Sequence, residues 1–528
     1  MQDTSAALGS ALLAQAQASH NHPVISVQIA WERTESDAEF AVVGTSTVGG
    51  DDIIQGADDS AVANPDRFDF TDESDRVLSL DWDRSIDDMF TGVTYATATL
   101  VLDNSDLRYT PGEDVTIGDY IKRGRPIRIY AGYRLPSFGT DHAIPQFKGL
   151  IMTPRENKMD KTVEIRAVGY LSWVRDRQMG VDLYQNVTTD QVIRDVLLRA
   201  GFSTDQLDLD VGINYIGTAW FSDGITINQR LNDLIRAEMG HLYLDEFGII
   251  HFDNRQKYVE LGSSLHTLAS GDILDWQELE SQQVINRCMV VGRPRTVLAE
   301  QIVWQNSKTE PFNPGETREI TANLDNPVTT VVTPVISTDL FANSAEDDTG
   351  ADTSSDFTVD DIQFTPTEIK LTITNGGATL SYITALRLRG TPAVTVSEII
   401  ETYEDIDSQD EFGLQEYTIE NEFISEESFA YYLARSIVRK FKDPKRRARI
   451  TIIAIPQLQL KDYITVTDPD TGETITMRVM RIQGSVGAGE FIQIVDMREI
   501  TDDEIETWAI VGTSTVGGDD VVAPSWVT

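Results

Sequence analysis

Residues 423–500 have the sequence FISEESFAYYLARSIVRKFKDPKRRARITIIAIPQLQLKDYITVTDPDTGETITMRVMRIQGSVGAGEFIQIVDMREI, which predicts one helix followed by four strands. Ser425 is a suitable N-cap, and the two glutamates after it suit the positive end of the helix dipole. Pro444 ends the helix. The apolar residues that recur at helical spacing on one face are Phe429, Tyr432, Leu433, Ile437 and Phe441.

Four runs rich in Ile, Val and Thr follow the helix, separated by Pro456, by the turn sequence at 468–472 and by a glycine-rich turn at 484–489. Strands joined by short turns commonly pair with their sequence neighbours, so we expect a four-strand β-meander. A segment of this kind carries no catalytic motif and indicates a scaffold. The predicted strands are 449–455, 463–467, 474–479 and 491–495.

The order of these features resembles the closing domain of baseplate-hub proteins of long-tailed phages. The resemblance rests on the Lys-x-Pro linker at 442–444, the pattern Pro-x-Leu-x-Leu-x-Asp at 456–462 and the final Gln-x-x-x-x-Arg strand at 493–498. Residues 98–104, with the turn at 109–112 and the strand at 124–129, also resemble the first barrel of these hubs. The segment most similar to the family is AEMGHLYLDEFGIIHF at 237–252.

The resemblance extends over residues 24–34 and 76–500 and, together with the strand pattern, implies a fold class that is mainly β with α+β parts. We expect several domains, among them two tail-tube-like β-barrels, a helical α/β domain and a β-sandwich insertion. The predicted segments are an N-terminal helical or loose tail at 1–23, a first β-barrel at 24–170 with an insertion at 35–75, an α+β domain at 171–285, a β-sandwich insertion at 286–400 with an acidic loop at 337–361, a helix plus second β-barrel at 401–500, and a C-terminal β tail at 501–528.

Composition limits the partners that this chain can have. The 528 residues carry 85 acidic and 43 basic side chains, a formal net charge of −42, which argues against general binding to nucleic acid or to anionic membranes. No run approaches the roughly 18 apolar residues of a membrane span, so none is expected. The single cysteine, Cys288, excludes an intramolecular disulfide framework and a cysteine-based zinc site.

The acidic composition has two interpretations. The chain has many acidic residues and few lysines, and its first lysine is Lys122. This composition is typical of proteins that work in strong salt, where screening by ions removes the repulsion between the acidic side chains. The alternative is an ordinary acidic virion protein.

The decapeptide VGTSTVGGDD occurs twice without change, at 43–52 and at 511–520. Alternating Val and Thr favour an extended strand, and Gly-Gly-Asp-Asp favours a turn. Both copies could display one surface to one kind of partner, or each could pair with a sheet edge of its own subunit. The candidate partner-docking residues are Val43, Gly44, Thr45, Ser46, Thr47, Val48, Val511, Gly512, Thr513, Ser514, Thr515 and Val516.

A basic cluster stands out against the acidic background at the predicted helix C-terminus. One interpretation is helix C-terminal charge with salt bridges to acidic neighbours across a subunit interface. The other places the cluster near a channel, where a basic ring would retard passing DNA. Its residues are Arg435, Arg439, Lys440, Lys442, Lys445, Arg446, Arg447 and Arg449.

No motif for catalysis, a cofactor or a metal is found, and we expect no such site. The sequence lacks the nucleophile-elbow, Walker and dinucleotide-loop patterns. Turn 468–472 lacks the fifth-position ligand and the closing Glu of a calcium loop. The histidines have no metal spacing, although His241 and His251 could face each other across a hairpin.

The resemblance implies a non-enzymatic, trimeric tail-tip (baseplate) hub in the virion that adapts the sixfold tail tube to the threefold tip. The implied partners are two further copies of the chain, the tail tube or distal tail protein, the tape-measure protein, tip fibres or a receptor-binding protein, and DNA only in transit. The alternative is a tail-tip adhesin that binds host surface glycan, which would need clustered exposed Trp and Tyr, whereas the Trp residues are scattered. A glycan-cleaving enzyme would need an appended catalytic domain, for which residues 501–528 are too few.

Overall fold

The large majority of the chain is described by a computed structural model. Strands hold 49% of the residues and helices 17%, and the strands form several sheets, so the prediction of a mainly β fold is confirmed. The described residues are 6–16, 22–31, 68–86, 92–135, 140–180, 182–222, 224–255, 264, 266–280, 283–487 and 489–500.

The helices form where caps and apolar spacing predict them. Thr188 caps the helix 189–199 through a box with Gln191, and Thr226 Oγ1 accepts a 3.2 Å bond from the Gln229 amide at the start of helix 227–238. The helices are α1 (Ala6–Ala16), α2 (Tyr170–Val174), α3 (Thr189–Arg199), α4 (Ile227–Glu238), α5 (Ile406–Phe412) and α6 (Glu427–Phe441).

The N-cap predicted for α6 is wrong by one residue. Glu426 occupies the cap, whereas Ser425 Oγ donates a 2.8 Å hydrogen bond to the Tyr215 carbonyl. A tertiary acceptor therefore competes with the local helix end for the serine hydroxyl. The apolar face of α6 is buried as predicted, with Phe429 and Ile437 in the main core.

The strands are listed in chain order so that the sheets can be described by number. The first set is β1 (Pro23–Ile29), β2 (Thr71–Asp72), β3 (Val77–Ser85), β4 (Thr97–Asp103), β5 (Pro126–Leu135), β6 (Thr140–Ile151), β7 (Arg155–Asn157), β8 (Thr162–Val168), β9 (Asp182–Thr188), β10 (Leu207–Leu209), β11 (Tyr215–Phe221), β12 (His241–Leu244), β13 (Ile250–Asp253), β14 (His266–Leu268) and β15 (Ile273–Leu279). The second set is β16 (Arg287–Gly292), β17 (Arg295–Val297), β18 (Gln301–Gln305), β19 (Glu310–Phe312), β20 (Thr317–Asn323), β21 (Val328–Val332), β22 (Leu340–Asn343), β23 (Phe357–Thr365), β24 (Glu368–Asn375), β25 (Ser381–Thr395), β26 (Ile399–Glu404), β27 (Glu416–Asn421), β28 (Arg447–Ile453), β29 (Tyr463–Thr467), β30 (Thr474–Gly487) and β31 (Glu490–Glu499).

The first and last parts of the chain share one 14-stranded sheet. Its order is β15-β28-β31-β30-β3-β4-β8-β6-β5-β1-β2, and β7, β14 and β29 attach off this path. The junction is the antiparallel pair β3–β30, in which Trp82 lies opposite Gly484. A Cβ at Gly484 would lie 2.2 Å from the Trp82 ring, so the close approach requires glycine there.

The large sheet contains strands from both of the segments that were predicted to form separate barrels. Within the described residues, β2 and β15 are the two ends of the pairing path, and the pairs along that path do not close into a ring. The detail of two barrels is therefore not confirmed, and the observed unit is one continuous sheet with an N-terminal half and a C-terminal half.

The predicted meander is also corrected. β28 pairs with β31, and β29 pairs with β30 and with β14, so the order is not sequential. The connection at 454–462 leaves the sheet because it contacts other parts of the chain through buried polar groups, described below. Strand boundaries differ most for β30 and β31, which form a long hairpin beyond the apolar runs that predicted them.

A helical part packs beside the large sheet. The hairpin β12–β13 pairs Leu242 with Phe252 across the turn that the sequence predicts, and β10 adds parallel to β13. α3 and α4 contact each other and contribute Val196 and Leu234 to the main core. α6 packs on the three-stranded sheet β26-β16-β27.

Residues 295–395 form two sheets around their own core. One sheet is organised by β25, and the other has the order β20-β24-β23. Leu371 and Leu386, one from each sheet, are buried in a shared cluster, as in two packed sheets. The acidic loop predicted at 337–361 is wrong in part, because it contains β22, whose Leu340 and Ala342 are buried, and the start of β23.

Candidate functional site

Both decapeptide copies, 43–52 and 511–520, lie outside the described residues, but their attachment points are described. The described residues before the insertion that contains the first copy end at Trp31, and those after it begin at Phe68. The Trp31 indole donates a 2.8 Å hydrogen bond to Glu73, and the Tyr109 hydroxyl donates one of 2.6 Å to the other Glu73 oxygen. All three side chains are buried, so the two ends of the insertion are held together beside β1 and β2.

The second copy follows the end of β31. The Glu499 amide donates to the Arg446 carbonyl at 2.9 Å, and the Ile500 amide donates to the Thr476 carbonyl at 3.3 Å. The described residues therefore end beside the linker that follows α6. Val511 lies eleven residues further along the sequence.

The basic cluster lies on α6, on the following linker and on β28. None of its eight residues is exposed in the monomer: Lys440 and Lys445 are buried and the other six are half-buried. Lys442 Nζ lies 3.4 Å from the Asp405 carboxylate. The cluster therefore contributes to internal contacts as well as to the surface charge.

Arg446 is the centre of an ion-pair network at the edge of the sheet. Its guanidinium lies 2.6 Å from Glu278 on β15, 2.7 Å from Asp468 and 3.2 Å from Glu473. The hydrogen bond from Arg446 and the backbone amides of turn 468–472 hold the pKa of Asp468 well below its usual range. Arg446 therefore connects the β28 linker to β15 and to the β29–β30 turn.

Arg449 extends the network across the junction of the two halves. It donates to both oxygens of Asp496 on β31, at 2.6 and 2.8 Å. Asp496 also lies 3.8 Å from Arg481 on β30, and Arg481 binds Asp83 on β3. The hydrogen bonds to Asp496 and Asp83 raise the pKa of Arg449 and Arg481, respectively. These four side chains form a charged ladder over β28, β31, β30 and β3.

A second polar contact connects the N-terminal half to the helical part and was not predicted. Arg84 on β3 forms an ion pair with Glu246 in the β12–β13 turn, and both side chains are at most 2% exposed. Gln459 of the β28–β29 connection donates to the same carboxylate. Three segments distant in sequence therefore meet at one buried carboxylate.

The β28–β29 connection is held from both sides. Lys461 forms an ion pair with the fully buried Asp253 and donates a 3.0 Å hydrogen bond to the Tyr243 hydroxyl. From the N-terminal half, the Tyr133 hydroxyl donates to the Ala454 carbonyl at 2.8 Å. The sequence pattern of a single strand could not have predicted these contacts, because each joins residues that are at least 200 positions apart.

The two hairpin histidines do not face each other. His241 pairs in register with Asp253, and His251 pairs with Tyr243, on which it stacks at 5.3 Å. Burial, followed by the charges of nearby cations such as Lys440, lowers the pKa of His241 well below its usual value. Burial alone would lower the pKa of His251, but the hydrogen bond and charge of Asp245 and the charge of Asp208 raise it.

Other chemistry is limited by the geometry. Burial raises the pKa of the Cys288 thiol to about 12, so little thiolate exists near neutral pH. Among the described residues, no group of three or more His, Cys, Asp or Glu side chains could hold a metal ion. No helix in the described ranges is long and apolar enough to cross a bilayer.

Comparisons with solved structures found tail proteins among the similar chains. No protein-family model matches the sequence, and no curated protein matches it. A 43 kDa tail protein of prophage MuSo2 from Shewanella oneidensis is 12% identical, with a TM-score of 0.45, over 83% of this chain and 97% of that chain. A tail protein from Neisseria meningitidis MC58 is 8% identical, with a TM-score of 0.46, over 90% and 96%.

A third similar structure comes from a secretion system. An E. coli protein described as a component of the type VI secretion system, with similarity to two bacteriophage T4 tail proteins, is 9% identical, with a TM-score of 0.37, over 81% of this chain and 74% of that chain. The neighbours include phage tail proteins, as the sequence resemblance predicts.

Proposed function

We propose that this protein is a structural, non-enzymatic hub at the tip of a viral tail. In this role three copies adapt the sixfold tail tube to the threefold tip and surround part of the channel for the tape-measure protein and DNA. Tip fibres or a receptor-binding protein would attach on the distal side.

The observation that carries the proposal is the single sheet shared by the two ends of the chain. The β3–β30 pair and the ladder from Arg449 to Asp83 fix the N-terminal and C-terminal halves relative to each other. A subunit with two sheet halves in a fixed relation can offer two contacts to a tube. Three such subunits supply six, provided that rotation closes the ring.

The basic cluster is proposed to have two roles. Arg446 and Arg449 hold the scaffold through their ion pairs within the chain. The half-buried Arg435 and Arg439 on α6 are our candidates for a surface near the channel, where they would offset the repulsion between an acidic wall and DNA.

The decapeptides are proposed to act as docking strands. An extended Val/Thr segment binds by adding a strand to a free sheet edge, so its main-chain hydrogen bonds carry the affinity. Thr45→Pro or Thr513→Pro removes one donor from such a strand and should weaken docking of that copy while the described core stays folded. Docking that survives both substitutions would contradict this role.

The adhesin alternative is not favoured by a specific observation. Trp31 and Trp82 are buried, and the other described tryptophans, Trp173, Trp220, Trp276 and Trp304, are half-buried. A glycan platform would present such rings to solvent.

The decisive experiment is native mass measurement of the purified protein, followed by imaging of tail tips. A trimer in solution or on the tail supports the hub, whereas a monomer with glycan affinity supports the adhesin. A sixfold arrangement in the virion would refute the proposed adaptor.

A further inference from the structure

One histidine of the helical part lies between two carboxylates on different segments. His251 is on β13, and in the parallel pair β10–β13 it lies opposite Asp208. Its Nδ1 is 3.0 Å from Oδ2 of Asp208, and its Nε2 is 3.1 Å from Oδ2 of Asp245 in the β12–β13 turn. The imidazole therefore connects β10, the end strand of the sheet β10-β13-β12, to the turn of the neighbouring hairpin.

The two contacts together require a charged imidazole. A neutral imidazole has one N–H donor and one acceptor nitrogen, whereas the imidazolium donates from both nitrogens. An ionised carboxylate only accepts, so neutral His251 can donate to one of the two aspartates and directs a lone pair at the other. Protonated His251 donates to both Asp208 and Asp245.

The two carboxylates are held differently. The other oxygen of Asp245 accepts hydrogen bonds of 2.9 and 2.8 Å from the Phe247 and Ile249 amides, and the Asp245 side chain is 17% exposed. Asp208 is 61% exposed, so water can solvate its carboxylate when the imidazole no longer donates to it. Loss of the proton should therefore release Asp208 and leave Asp245 in contact with the ring.

The groups around the ring favour the imidazolium. Tyr243 of β12 stacks on His251, with ring centroids 5.3 Å apart. Lys461 donates to the Tyr243 hydroxyl and forms an ion pair with Asp253, so its charge is offset close to the ring. Burial lowers the pKa of His251, but the hydrogen bond and charge of Asp245, together with the charges of the other two aspartates, raise it above its usual value.

β10 is a short strand that covers the outer edge of β13. It has three residues, and the backbone continues this contact through the Asp210 amide, which donates to the Phe252 carbonyl at 2.9 Å. The Asn254 side chain donates to the Val211 carbonyl, also at 2.9 Å. Few backbone bonds hold a strand of this length, so a single side-chain bridge should change its local opening measurably.

We propose that His251 is a proton-operated clasp, in which the imidazolium holds β10 against the hairpin β12–β13 and loss of the proton releases Asp208 and loosens β10. The stability contributed by the clasp is present below the unfolded-state pKa of about 6.5 and is lost as pH rises through the folded-state pKa, which lies higher. Alkaline pH therefore uncovers the outer edge of β13. The inference goes beyond the tail-tip function and does not depend on it.

The first test is an NMR titration of the full-length protein with ¹³C at Cε1 of its six histidines. The His251 signal is identified by its loss in His251→Gln. Its midpoint should lie above about 6.5. Asp208→Asn should lower that midpoint, because it removes one of the two anions that face the ring. A midpoint at or below about 6.5, or one that Asp208→Asn leaves unchanged, would overturn the proposal.

The second test is hydrogen–deuterium exchange of the amides of 207–210 in the full-length protein between pH 6 and pH 9.5, corrected for the exchange rate of an unfolded peptide. Protection should fall by at least about tenfold as His251 loses its proton, as expected for loss of one charge-assisted hydrogen bond. His251→Gln and the surface substitution Asp208→Asn should both remove this fall. His22→Gln replaces an exposed histidine next to β1, and this matched control should behave as the wild type. Protection that does not change with pH in the wild type, or an equal fall in Asp208→Asn, would refute the clasp.

Discussion

Replacement of Arg84 by methionine should destabilise the whole protein, because it leaves the Glu246 carboxylate buried without its charge partner. Arg84 and Glu246 are 1% and 2% exposed, and the Gln459 amide also donates to that carboxylate. Loss of one partner of a buried pair costs about 3–5 kcal/mol, whereas an exposed pair contributes about 0–1 kcal/mol. We expect Arg84→Met to cost at least about 3 kcal/mol, since methionine fills most of the space but cannot compensate the charge.

The measurement is guanidinium-induced unfolding followed by tryptophan fluorescence and by circular dichroism. Coincidence of the two transitions establishes that one free energy describes the loss. The matched control is Arg76→Met, which removes the ion pair with Asp106 at 2.7 Å, where the side chains are 32% and 50% exposed. Its cost should stay below about 1 kcal/mol.

A compensating variant isolates the charge effect. Glu246→Gln alone leaves Arg84 without an anion and should also destabilise, but Arg84→Met combined with Glu246→Gln removes both charges and should recover much of the loss. The reasoning is refuted if Arg84→Met costs less than about 1 kcal/mol, or if the double variant costs the sum of the two single ones.

Three further predictions concern the junction, pH and salt. Gly484→Ala should lower the free energy of unfolding by about 1–3 kcal/mol, because the new Cβ would overlap the Trp82 ring. Gly487→Ala in the same strand is the control and should be nearly neutral, because the nearest atom lies 3.7 Å from its Cβ. Equal costs for the two variants would contradict this packing. The buried His241 has a lowered pKa, so its contribution to stability is present above the unfolded-state pKa and is lost as pH falls below about 6.5, by about 1.4 kcal/mol at pH 5.5. His251, with a raised pKa, contributes the opposite slope. Comparison of His241→Gln with the wild type at pH 7.5 and 5.5 should therefore show a smaller acid loss in the variant, and identical losses would refute the assignment. If the −42 charge reflects a saline habitat, the melting temperature should fall as salt is lowered towards zero, and a melting temperature independent of salt up to molar concentration would count against that habitat.

The sequence alone predicted the local elements of this protein correctly where a local cause exists. The hairpin β12–β13 forms around the predicted turn, where the Asp245 side chain accepts hydrogen bonds from the amides of Phe247 and Ile249. The turn at 468–472 forms because Asp468 accepts bonds from the amides that follow it. In each case the deciding interactions lie within a few residues, so the pattern contains the cause.

Predictions failed where a distant group competes with a local one. Ser425 has the sequence of an N-cap, but the Tyr215 carbonyl takes its hydroxyl. The stretch 337–361 has the composition of a loop, but Leu340 is buried by the long strand β25. Composition describes what a segment prefers in water, and tertiary burial outweighs that preference.

The tertiary structure alone decided how the two halves meet. The β3–β30 register and the ion pair of Arg84 with Glu246 join segments that are remote in sequence. Strand pairing and charge pairing depend on which surfaces approach each other, and an arginine on a strand looks the same in sequence whether it faces solvent or a buried carboxylate. The sequence therefore determined the kinds of element and the excess of acid, whereas packing determined which strand edges pair and which charges meet.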